Sequence, residues 1–196
     1  MSEGVVLAPP TGVKLDLACG QRPRDGFQGV DLHAPGAKWK VDLTKFPWPW
    51  EDSSVEELHC SHYAEHLPMV EVQHAGRTKN LFFAFFDECF RILRPGGNMM
   101  VIVPSARSNR AFQDPTHCRF IVAETFAYLS AEWRRSQGLD HYQVDCDFSG
   151  NAVGSVVQEE TVRHPESQSF RFNHLWNTTL DFHCTLKSLK KGPGGT

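Results

Sequence analysis

The feature that most constrains this chain is a short apolar run, Val13-Lys14-Leu15-Asp16-Leu17, that breaks into the small residues Ala18-Cys19-Gly20 and is followed by a second run ending on an acid, Gly29-Val30-Asp31-Leu32. A five-residue apolar stretch bounded by turn residues reads as a buried strand. Small residues at its end let the backbone approach a ligand. An acid closing the next strand can accept hydrogen bonds from ribose hydroxyls. The two together predict an α/β sheet with a nucleoside-type ligand at the carboxyl ends of its strands.

The rest of the chain extends that pattern. At 196 residues it is read as one domain, 1–196. Strands are expected at Val13–Leu17 and at 28–32, 39–43, 55–60, 99–103, 142–148 and 179–189, seven in all. The connection from Gly20 to Phe27 carries Pro23 and Gly26 and is too short for a full crossover helix. Phe82, Phe85, Phe86, Cys89, Phe90 and Leu93 recur at helical spacing, so residues 81–93 are predicted helical, stopped by Arg94-Pro95-Gly96-Gly97. Residues 123–129 read as a short helix. Strands alternating with helices imply a mostly parallel sheet with helices on both faces, and the two late strands imply a C-terminal antiparallel hairpin. Residues 1–11 are expected to be a flexible arm, 104–177 to carry acceptor-side insertions and 190–196 to be a disordered tail.

Charge and cysteine usage narrow the function. A net charge of -3 gives no overall pull toward nucleic acid or anionic membranes. No apolar run is long enough to span a bilayer, and residues 1–10 lack the features of a signal peptide. Six scattered cysteines without a CxxC pair read as reduced thiols in a cytoplasmic protein.

The expected strand ends form a series: Asp16, then Asp31, then Asp42, then Ser61-His62. In an open parallel sheet these would line one crevice. With Leu15-Asp16-Leu17-Ala18-Cys19-Gly20, Gly29-Val30-Asp31, Val41-Asp42-Leu43 before Phe46-Pro47-Trp48, Glu65-His66-Leu67 and Leu93-Arg94-Pro95-Gly96-Gly97, residues 14–103 resemble small class I S-adenosylmethionine (SAM) dependent methyltransferases of the Methyltransferase-11 type, in motif order. The resemblance implies a Rossmann-like seven-stranded sheet and SAM as cofactor, with S-adenosylhomocysteine as product. It implies that Asp16, Ala18, Cys19 and Gly20 approach the methionine part, and that Asp31 binds the ribose diol while Leu32 packs on the adenine. It also implies that Asp42 accepts from the adenine amino group beside Leu43, and that Ser61 and His62 border the sulfonium. Two departures stand out: the usual glycine two residues after Asp16 is Ala18, and the first crossover is short. A dinucleotide enzyme would want a GxGxxG turn for its pyrophosphate, which is absent here.

On the acceptor side, Asp114-Pro115-Thr116-His117-Cys118-Arg119-Phe120 and His174-Leu175-Trp176-Asn177 are the candidate elements. His117 and His62 are the candidate bases, Arg119 an anion anchor, His174 a further contact and Trp176 a wall. The structural alternative is that His117 caps a turn and Arg119 pairs with a carboxylate. Cys60-x-His62 with His66 could place metal ligands close together, but Cys60 on a strand should point into the sheet and paired cysteines are lacking, so no metal is expected. Without the Asn/Asp-Pro-Pro-Tyr/Phe sequence of DNA amino-methyltransferases or a Pro-Cys nucleophile, a small-molecule or sugar- or lipid-linked O or N acceptor is favoured over nucleic acid. The oligomeric state is left open. A SAM-binding protein without turnover, and a metal- or partner-binding module, are the alternatives.

Overall fold

A computed structural model of the chain describes residues 12–157, 170 and 174–192. Its strands are β1 (Val13–Leu17), β2 (Gln28–Val30), β3 (Val55–Ser61), β4 (Glu71–His74), β5 (Arg77–Asn80), β6 (Leu93–Pro104), β7 (Phe148–Val157) and β8 (Thr179–Ser188). The α-helices whose bounds lie among the described residues are α1 (Leu81–Ile92), α2 (Arg110–Gln113) and α3 (Ala131–Ser136), with 3-10 turns at Ala64–His66, Ala123–Leu129 and Asp140–Tyr142. Six strands form one sheet in the order β2-β1-β3-β6-β8-β7, and β4 and β5 pair by themselves. β2, β1, β3 and β6 are mutually parallel. β8 is antiparallel to both β6 and β7, so it alone runs against the rest.

Register explains where the core lies. Leu15 sits opposite Leu58, Leu58 opposite Met99 and Met99 opposite Leu186; the next row is Leu17, Cys60, Val101 and Cys184. Side chains alternate faces along a strand, so both rows share one face, and all eight residues are buried. Helix α1 belongs to the same core through Phe82, Phe85, Phe86, Cys89 and Ile92. Each such ring or branched chain contributes about 1.5–3 kcal/mol on burial. The helix begins where the Asn80 side chain accepts from the Phe82 N–H. At its far end the Lys190 ammonium donates to the carbonyls of Arg91 and Leu93, at 2.6 and 2.7 Å.

Several expectations are corrected. Among the described residues the sheet has six strands rather than seven: of residues 39–43 only Trp39 is laddered, as an isolated bridge to Val30. Beyond it Asp42 accepts from Thr44 N and Oγ1, and Lys45 N donates to the Asp42 carbonyl, so turn bonding wins over strand pairing. The sixth strand is Phe148–Val157, not 142–148. The connections 18–27 and 31–54, which follow β1 and β2, contain no helix. The face of β1 and β3 away from the apolar core carries the Lys14–Glu57 pair and the Asp16–His59 pair. The polar insertion after β3 is a hairpin whose Ala75 and Gly76 both have positive φ, the signature of a tight two-residue turn. The tail expected from residue 190 is anchored at Lys190. Residues 1–11 and 193–196, and most of 158–173, lie outside the described residues.

Candidate functional site

The carboxyl ends of β1, β2 and β3 open into one cavity of about 370 Å³. Ala18 follows β1, Asp31, Leu32 and His33 follow β2, and His62 and Tyr63 follow β3; Val41, Asp42 and Leu43 close the side beyond β2. Six of the sequence-derived candidates, Ala18, Asp31, Leu32, Asp42, Leu43 and His62, therefore meet. Leu32 is 45 % exposed, an apolar side chain left at the cavity mouth, while Leu43 is buried at its back. Ala18 and His62 both have positive φ, 52° and 54°, so the chain turns into the cavity through strained backbone at two strand ends.

Two carboxylates are held ionised there. Burial of Asp31 works against ionisation, but N–H donors from Ala34, His33 and Gly20 outweigh it and keep the carboxyl below its ordinary range. Oδ1 accepts two of these and Oδ2 only the Gly20 N–H at 3.1 Å, which leaves Oδ2 a free lone pair. Asp42 is lowered first by the Thr44 hydroxyl, against the opposing effect of burial. Tyr63, half-buried against Phe85, has its phenol pushed well up by burial and stays protonated.

Asp16, Cys19, Gly20 and Ser61 do not line the cavity among the described residues. Asp16 is buried and accepts from His59 Nδ1 at 2.7 Å and Arg24 N at 2.8 Å, tying the glycine turn to β3 from behind. Cys19 fills the gap over Gly29, where a Cβ would come within 2.7 Å of its sulfur. His33, Val41 and Tyr63 were missed by sequence reasoning, although each adjoins a residue it selected.

The two candidate bases converge from different segments on a residue not selected, Glu65. His62 Nδ1 lies 3.3 Å and His117 Nε2 3.9 Å from Glu65 Oε1. His62 precedes the 3-10 turn of Ala64–His66, and its positive φ of 54° turns the chain so that its ring meets Glu65. No spacing in the sequence signals this meeting. The loop bearing His117 is clamped here: Cys118 N and Arg119 N both donate to the Glu65 carbonyl, at 3.0 and 3.1 Å. Arg119 donates from Nε to Leu67 O and from Nη2 to Pro68 O and Asn80 Oδ1, so its guanidinium serves the loop. The Trp176 indole donates to Asn109 Oδ1, and its ring joins Phe112 and Phe120 in an exposed aromatic group. His174 is exposed beside Phe170, and no contact ties it to the cavity among the described residues.

No family model matches the chain, and no curated protein matches it in sequence. Solved structures match its fold. A SAM-dependent methyltransferase from Archaeoglobus fulgidus superposes with a TM-score of 0.57 at 16% identity, over 91% of this chain and 86% of that one. One from Methanosarcina mazei gives 0.52 at 14%, over 93% and 95%. The cyclase SpnF gives 0.52 at 15%, over 91% and 76%. The chain thus has the class I SAM-dependent methyltransferase fold. No helix among the described residues is long and apolar enough to cross a membrane.

Proposed function

We propose that this protein binds SAM in the strand-end cavity and transfers its methyl group to a small-molecule O or N acceptor. The observation that carries the reading is the convergence of Asp31, with its free Oδ2 lone pair, exposed Leu32, and Asp42 on one cavity at the carboxyl ends of the strands. This donor and acceptor set fits an adenosine: a carboxylate for a diol, an apolar wall for a base and a second carboxylate for an amino group. No helix N-terminus opens the first crossover, so a pyrophosphate has no seat there.

When bound, SAM supplies a methyl group already activated on a sulfonium. The protein then has to position and to exclude water. Asp31 and Asp42 fix the nucleoside. Ala18 and His62 flank the inner end, and Tyr63, neutral and packed on Phe85, closes it without adding charge. His62 and His117, both directed at Glu65, are the groups able to take a proton from an acceptor hydroxyl. The exposed rings of Trp176, Phe112 and Phe120 offer an apolar acceptor a surface. The acidic net charge speaks against nucleic acid, and the free cysteines fit the cytoplasm.

Calorimetric titration with SAM and S-adenosylhomocysteine tests this. Micromolar binding is expected. Asp31→Ala should weaken it about 10- to 100-fold, the worth of a charge-assisted hydrogen bond pair. Because Asp31 also holds Gly20, His33 and Ala34, Leu32→Ala serves as a second variant that leaves that turn intact. Absence of binding by folded protein would sink the reading. Binding without product from any acceptor would leave a SAM-binding protein.

A further inference from the structure

Glu65 is the anomaly of this molecule. The residue is 1 % exposed, and neither carboxylate oxygen has a hydrogen-bond partner among the described residues. Burying a carboxylate without compensation costs several kcal/mol, so such groups are paired or hold a cation. Elsewhere the chain obeys that rule. The cluster of His74, Asp87 and Asp145 receives the Lys79 ammonium, at 2.6 Å from Asp87 and 2.7 Å from Asp145. Among the described residues, only the imidazoles of His62 and His117 come within ion-pair distance of Glu65, and neither carries a fixed charge.

A ring nitrogen of His66, a ring nitrogen of His117 and a Glu65 oxygen lie within 4.8 Å of one another. Both imidazoles are oriented by outer partners. His117 Nδ1–H donates to the Ala111 carbonyl at 3.0 Å, which leaves Nε2, the atom facing Glu65, with its lone pair. Thr116 donates its hydroxyl to Asp114 Oδ1 at 2.7 Å, so it must accept from His66 Nδ1–H at 2.9 Å, leaving His66 Nε2 basic. A hydrogen bond on the far nitrogen that fixes tautomer and ring direction is what metal-ligating histidines have. The rings meet edge to face with centroids 4.6 Å apart.

We propose that Glu65, His66 and His117 bind a divalent transition cation of the zinc type, with His62 beside them as the link to the SAM cavity. Two imidazoles and a carboxylate suit such a cation better than magnesium or calcium, which favour all-oxygen sets. Ligand atoms of a tetrahedral site stand about 3.4 Å apart, so the cluster needs only side-chain rotation to close on an ion. Three protein ligands would leave a position open, and His62, which lines the cavity, stands 3.3 Å from Glu65. A cation there would hold an acceptor oxygen and lower its pKa, with the proton passing to His62, the base left once His117 is a ligand. That role rests on the methyl-transfer reading, whereas the site itself does not.

The test is titration of EDTA-dialysed full-length protein with Co2+ and Zn2+ in the absence of SAM. The expected result is one site of micromolar or tighter affinity, whose cobalt spectrum lacks sulfur charge-transfer bands. Glu65→Gln and His117→Ala should each weaken it at least tenfold. Glu65→Gln removes a buried charge and should keep or raise the melting temperature of the metal-free protein, which separates lost ligation from lost fold. Folded wild type that binds neither ion, equal binding by both variants, or strong sulfur charge-transfer bands would each overturn the proposal. SAM titration of the same metal-free protein reports on the methyl-transfer reading independently.

Discussion

At the scale of single residues, the cavity is shaped by side chains standing where glycine would cost less. Ala18 has φ 52°, a conformation that costs an L-residue about 1–2 kcal/mol, and it occupies the position where the resembled motif carries glycine. The departure visible in the sequence is thus a point of stored strain, held by the Cys19 N–H bonding to the Val30 carbonyl at 3.2 Å. Ala18→Gly relieves that strain but gives the unfolded chain about 0.5–1 kcal/mol more entropy to lose. The expected net is a gain of zero to about 1 kcal/mol in urea unfolding. A loss beyond about 1 kcal/mol would mean that the methyl group packs usefully inside the cavity. Asp31 was legible because its role needs only a strand end and an acid. Glu65 was not, because its partners His62 and His117 are brought to it by a turn and by a loop clamp that no spacing encodes.

At the scale of elements, the wall behind Leu43 depends on one helix. Glu88 of α1 accepts from Trp48 N at 2.6 Å, from His74 Nε2 at 3.0 Å and from Arg91, while Arg91 donates onward to the carbonyls of Trp48 and Trp50. Residues 46–52 are thereby stapled to the helix. α1 and the apolar strands were legible from periodicity, since burial on one face imposes it. The strand expected at 39–43 was not, because Asp42 prefers its own turn. Burial of Glu88 raises its pKa, but bonds from His74, Arg91 and Trp48 outweigh this and bring the carboxyl from 4.5 down to about 2. A depressed carboxyl contributes stability that is complete above its unfolded pKa and lost as pH falls through the folded one. Urea unfolding between pH 6 and pH 2 should therefore show a loss of about 3 kcal/mol attributable to Glu88. In Glu88→Gln that part of the slope should vanish, and the protein should be less stable by about 3 kcal/mol at pH 7. Parallel pH profiles for the two proteins would show that the staple contributes little.

At the scale of the whole molecule, the sheet is asymmetric around β1 and β3: one face bears the apolar core under α1, and the other carries polar pairs such as Lys14–Glu57 and Asp16–His59. The first crossover contains no helix, yet the strand ends after β1, β2 and β3 still meet at one cavity. The burden of cohesion then falls on contacts that span the chain on the covered side. Lys79, with no side-chain exposure, joins the end of the hairpin to Asp87 in α1 and to Asp145 ahead of β7. Asp87 in turn accepts the N–H groups of Asp145 and Cys146, at 2.9 and 2.8 Å. Lys79→Met keeps the volume but strands the Asp87 carboxylate, and removing one partner of a buried pair typically costs about 3–5 kcal/mol. The double variant Lys79→Met with Asp87→Leu removes both buried charges, so it should recover part of the Lys79→Met loss but leave the Asp145 and Cys146 N–H groups without an acceptor. Chemical unfolding of the three proteins measures this directly. A single-variant loss under about 1 kcal/mol would mean that water reaches Lys79 and that the segment before β7 is held by apolar packing instead.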